Sequence, residues 1–122
     1  SSLSEEKIVA LNLSDEELIE KQAIIKAAKK DYNEAFKLFD SLKDNKKRLL
    51  GKAYVLFAEN NYENSIKNLE KLVTEKNNSD VYLYMGYVLE KNGDKTAAKE
   101  CYLKSIQTDP SNIKAKKAFK NL

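Results

Sequence analysis

The feature that most constrains this chain is a helix break that recurs. Lys30-Asp31-Tyr32-Asn33-Glu34-Ala35, Asn61-Tyr62-Glu63-Asn64-Ser65 and Asp94-Lys95-Thr96-Ala97-Ala98 carry related turns, at offsets of 30 and then 33 residues. Apolar residues flank each turn at helical spacing. Ile19, Ala23, Ile24 and Ala27 precede the first, Leu49, Ala53 and Leu56 the second, and Tyr82, Met85, Gly86 and Leu89 the third. Tyr32, Ala35, Phe36, Phe39 and Leu42 follow the first turn. Tyr62, Ser65, Ile66, Leu69, Leu72 and Val73 follow the second, and Ala97, Ala98, Cys101, Tyr102 and Ile106 the third. The pattern predicts a helix pair repeated three times. Gly93 supplies the left-handed residue that ends a helix, and Pro110 stops the next one because proline disfavours helix at the residue before it.

The ends differ from the middle. Residues 4–11 read as a short helix, with Ser4 as N-cap, Glu5 and Glu6 in the first turn, then Ile8, Val9 and Leu11. Ser14 caps the next helix, with Glu17 completing a capping box. Ser111 is the expected cap of a last helix bearing Ile113, Ala115, Ala118, Phe119 and Leu122, backed by lysines and asparagines. The resulting division is an N-terminal helix or arm at 1–13, three repeats at about 16–45, 46–78 and 79–110, and a capping helix at 111–122. The short first offset predicts loss of one turn from the helix around Leu42, with a tight link at Asp44-Asn45.

The spacing Tyr82, Met85-Gly86, Leu89, Ala98, Tyr102, Pro110 resembles the tetratricopeptide repeat, a pair of antiparallel helices about 34 residues long. The resemblance spans about residues 16–110. It is strongest in the third unit, moderate in the second, where Ala53 and Ser65 take the small positions and Lys52 replaces a usual leucine, and weakest in the first, where Gln22 and Lys26 replace apolar residues. It implies an all-α solenoid of three helical hairpins, with the short N-terminal helix and a C-terminal capping helix. It also implies that the first helix of each pair lines a concave groove for a partner. The matching positions are Glu17, Glu20, Lys21 and Ile24; Lys47, Leu50, Tyr54 and Phe57; and Asp80, Leu83, Tyr84, Tyr87 and Glu90. The apolar set Leu50, Tyr54, Phe57, Leu83, Tyr84 and Tyr87 is the expected partner-binding surface. One subclass of the family grips the terminal carboxylate of heat-shock chaperones with asparagines and basic residues. Glu20, Ile24, Gly51, Asp80 and Tyr84 stand at those positions and match none of them.

Composition narrows the chemistry. With no histidine, the commonest general base is missing. A zinc site has only one cysteine to draw on, and no phosphate-loop or dinucleotide motif occurs. The acids at Glu5-Glu6 and Asp15-Glu16-Glu17 lie in first helical turns, where they complement the helix dipole. Cys101 falls on an apolar stripe and reads as a buried thiol. The expected protein is therefore non-catalytic, without cofactor or metal. The lysines at 114, 116, 117 and 120 read as a solvated face, and Arg48 is the only arginine, so nucleic acid is not the expected partner.

The expected function is a protein-interaction module that holds a partner peptide. Two other readings stay open: an assembly subunit that self-associates or docks through its convex face or ends, and a chaperone for apolar segments of secretion substrates. Residues 1–13, with Leu3, Ile8, Val9, Leu11 and Leu13, could instead cover the groove. One cysteine favours a reducing, cytoplasmic setting. The start Ser1-Ser2 reads as a processed or joined end, so a periplasmic or membrane-tethered location follows if a signal or anchor preceded it. No apolar run is long enough to span a bilayer.

Overall fold

A computed structural model describes residues 14–75 and 78–122. The short helix expected at 4–11 lies outside them. Among the described residues there are seven helices and no strand: α1 (Asp15–Ala28), α2 (Tyr32–Asp40), α3 (Asn45–Ala58), α4 (Tyr62–Glu70), α5 (Ser79–Lys91), α6 (Lys95–Thr108) and α7 (Ile113–Lys120). The described residues form two compact units that divide between Val55 and Leu56.

The first unit is built on the pairing of α1 with α2. Ser14 caps α1 as expected: its hydroxyl accepts from the Glu17 amide at 3.2 Å and donates to the Glu17 carboxylate at 3.0 Å. Ala23, Ala27, Ala35, Phe39, Leu42 and Val55 form the core, flanked by Ile19, Tyr32, Phe36 and Leu38. Gly51 of α3 belongs to this packing, because a Cβ there would lie 2.1 Å from the Phe39 ring. Lys52, which stands where a leucine is usual, makes other contacts: its Nζ pairs with Asp40 at 2.8 Å and lies 5.2 Å from the Phe36 ring centre. Its stem stays along the apolar surface while its head finds charge.

The link between α2 and α3 is held from both ends. The Glu16 carboxylate accepts from the backbone amides of Lys43 at 2.8 Å and Asp44 at 3.3 Å. Arg48 donates to the carbonyl of Leu42 at 3.0 Å and to the Asn45 side chain at 2.6 Å. The tight link was expected, but the shortened helix was not found. Helices α2 and α4 both have 9 residues, so the missing turn lies in the connection, residues 41–44 against 71–78.

In the second unit, α5 packs on α4 and α6, and α6 on α7. Helix α4 ends at Glu70, short of Leu72 and Val73, and the chain continues in tightened turns that bury Leu72. Leu83, Ala98, Tyr102 and Ala115 form a core, with Leu89, Ile106, Ala118, Phe119 and Leu122 against it. Gly86 lets α5 and α6 approach, since a Cβ there would lie 2.2 Å from the Tyr102 ring. A buried polar lock ties α5, α6 and the start of α7. Ser79 and Ser105 each donate to the other's carbonyl, at 2.8 and 2.7 Å, and the Asn112 amide donates to the Ser79 hydroxyl at 2.9 Å. Asn112, not Ser111, caps α7, its side chain accepting from the Ala115 amide at 3.1 Å. Ser111 is occupied otherwise: its amide and hydroxyl donate to the Asp109 carboxylate at 3.0 and 2.6 Å.

Candidate interaction surface

The side chains available to a partner follow from which helix faces the cores consume. In the first unit, Lys47, Leu50 and Tyr54 fall at i, i+3 and i+7 of α3, one stripe of a helix. Glu20 and Ile24 form the corresponding stripe of α1, and the Lys47–Glu20 ion pair at 3.8 Å brings the two stripes side by side. Tyr54 is 52% exposed, Ile24 is exposed as well, and Leu50 is half-buried. This face is apolar at its centre and carries a neutralised charge pair at its edge.

The second unit has a recess of about 370 Å³, lined by Phe57 at the end of α3, Tyr87, Glu90 and Lys91 of α5, and Ala118 and Asn121 from the α7 region. The aromatic wall is ordered by ring contacts. Tyr87 meets the buried Tyr102 edge-on at 6.0 Å between centroids, and Tyr84 lies 6.4 Å from Tyr87 at a tilt of 43°. Phe57 contacts Tyr62 at 5.8 Å. Beside this wall, the Tyr102 hydroxyl donates to Glu90 Oε1 at 2.7 Å, which fixes the carboxylate at the rim. The Tyr102 phenol is raised well above its ordinary range, first by burial and then by this bond to a carboxylate. The Tyr87 phenol is raised too, by burial first and then by Tyr84 and Glu90.

The expected residues thus fall into three groups. Phe57 and Tyr87 share the recess, with Tyr84 adjacent and 40% exposed. Leu50 and Tyr54 lie on the face of the first unit. Leu83 is not on a surface at all: it is 3% exposed and packs with Ala98, Tyr102 and Ala115. Helix α5 is covered on more than one side, so the run Val81 to Leu89 is apolar nearly throughout and its periodicity does not single out the stripe that faces solvent. Lys91, Ala118 and Asn121 were not expected in the recess. Their only signal is the i, i+3 spacing of Ala118 and Asn121, which turns both toward one side of the chain's last helix.

Cys101 is buried, and burial pushes its thiol up, which favours the protonated, unreactive form. Among the described residues no cluster of acids or cysteine could hold a metal ion, and no helix is long and apolar enough to cross a membrane.

Residues 79–112 match the tetratricopeptide repeat family. Among solved structures, the crystal structure of MamA matches with a TM-score of 0.69 at 19% identity, covering 93% of this chain and 70% of that one. No curated protein matches the chain. At that identity the likeness to MamA shows the fold. The family match itself is confined to the repeat at 79–112.

Proposed function

We propose that this tetratricopeptide-repeat chain holds a segment of a partner protein, and that the aromatic recess of its second unit is the principal contact. An interaction or scaffold role is what the repeat and the fold support. The recess as the place of contact rests on one observation: Phe57, Tyr84 and Tyr87 keep large ring surfaces at or near solvent beside a hollow big enough for a side chain, although a well-packed core lies directly beneath them. Tyrosine gives broad, rigid contact area with a polar tip and loses little entropy on binding, which suits an interface anchor. The proposed role is non-catalytic, as expected of an interaction module of this fold.

The ligand class is an apolar or aromatic segment, not an acidic chain terminus. Asp80 stands at a position where the carboxylate-gripping members carry a binding residue and would repel a carboxylate, and Gly51 offers no side chain to grip one. Peptides selected from a displayed library against the wild-type chain test this reading. Tyr87→Ala and Phe57→Ala are each expected to weaken a selected peptide about tenfold or more, with helicity unchanged by circular dichroism. Selection of acidic C-terminal peptides, or affinity indifferent to both substitutions, would overturn it.

A further inference from the structure

Helix α7 has a second surface, opposite the one it packs against α6. Ala115, Ala118 and Phe119 are turned to the core. Lys114, Lys116, Lys117 and Lys120 are left exposed, and Ile113 is 64% exposed at the head of the same helix. Lys99 of α6 extends the patch toward this helix, its Nζ 5.6 Å from the centre of the Phe119 ring. From Lys95 to Leu122 seven lysines stand against two acids, although the whole chain carries only +3, so the remainder is net acidic. Of the two acids, Asp109 is drawn into its turn by the hydrogen bonds from Ser111.

The residue type discriminates among anionic partners. Every basic group in this patch is lysine. An ammonium is a compact, strongly hydrated point charge, and lysine is depleted from packed protein interfaces. It also lacks the planar fork that reads base edges in nucleic acid. An anionic bilayer attracts such charges through its diffuse field without stripping their water, each lysine near the surface contributing about a factor of five in affinity. A neighbouring exposed aliphatic side chain can enter the interface, as Ile113 is placed to do. We infer that the outer face of α7 is a peripheral docking surface for anionic lipid headgroups. It lies opposite the packed face of α7 and does not depend on the peptide-binding reading.

Vesicle flotation with the full chain tests it, using phosphatidylcholine vesicles with and without phosphatidylglycerol at low salt. The chain is expected to float with the anionic vesicles only, and to be released by raised salt. Lys114→Gln/Lys117→Gln is expected to bind about thirtyfold more weakly, Ile113→Ser measurably more weakly, and the control Lys21→Gln/Lys37→Gln unchanged, with all variants melting as wild type. Failure to float with anionic vesicles at low salt would overturn the proposal. So would equal loss in the control, or binding to duplex DNA or polyglutamate without binding to the vesicles.

Discussion

Three turn residues show how position can override residue type. Lys30, Asn60 and Gly93 all take positive φ, at 63°, 65° and 88°. Each closes its helix with the same pair of hydrogen bonds. The amide of the next residue, Asp31, Asn61 or Asp94, reaches back to Lys26, Leu56 or Leu89 at 2.8–2.9 Å. The turn residue itself bonds to Ala27, Phe57 or Glu90 at 2.9–3.0 Å. This is the Schellman closure, which favours glycine. The turns were legible from their spacing, but a left-handed lysine was not, because nothing in a lysine side chain announces that conformation. A non-glycine residue there costs roughly 1–2 kcal/mol, and glycine's greater unfolded-state freedom returns part of the gain. Lys30→Gly is therefore expected to stabilise the chain by about 0.5–1 kcal/mol in denaturant unfolding, and Asn60→Gly by less, since asparagine tolerates this region. Tyr102 gives a second test. Its folded phenol titrates above the ordinary value of 10.0, so the stability it adds is complete below about pH 10 and lost as pH rises beyond it. Tyr102→Phe is expected to lower stability at neutral pH by about 1–2 kcal/mol through the lost bond to Glu90, and to show a shallower alkaline decline in melts above pH 10.

At the scale of the helix, close approach decides what can be substituted. Gly86 faces the fully buried Tyr102 ring, and that ring is held at its hydroxyl by Glu90. An added methyl gains helix propensity of about 1 kcal/mol but overpacks a side chain with nowhere to move, at about 1–3 kcal/mol. Gly86→Ala is expected to lower stability by up to about 2 kcal/mol in urea unfolding. A stabilised variant would show that the two helices can separate freely. Gly51 obeys the same logic against Phe39, yet its sequence position suggested a ligand-facing role. A single glycine does not state whether it clears space for a ligand or for a neighbouring ring; only the tertiary contact does. The expected missing helical turn has a similar history. The four-residue deficit was plain in the sequence, but an offset between turns cannot say whether helix or link is shorter. Glu16 and Arg48, which hold the shorter link, act across nearly 30 residues in one case and from the next helix in the other.

At the scale of the molecule, helical class and the positions of the turns were readable because both rest on periodicity and turn chemistry, which are local. The surface was readable only in part. Tyr84 and Tyr87 keep exposed surface and Phe57 is half-buried, whereas Leu83 was lost to the core because α5 is packed from more than one direction. Whether a tyrosine on an amphipathic helix serves the core or a partner depends on what the neighbouring helices cover, and that is set by tertiary packing. The central claim is that partner segments bind at the recess of the second unit. Amide and side-chain NMR shifts during titration of a library-selected peptide into the labelled chain test it most directly. Saturable shifts are expected, concentrated at Phe57, Tyr84, Tyr87, Glu90 and Ala118, and abolished by Tyr87→Ala. Shifts centred on the exposed side of α6, or unaltered by Tyr87→Ala, would contradict it.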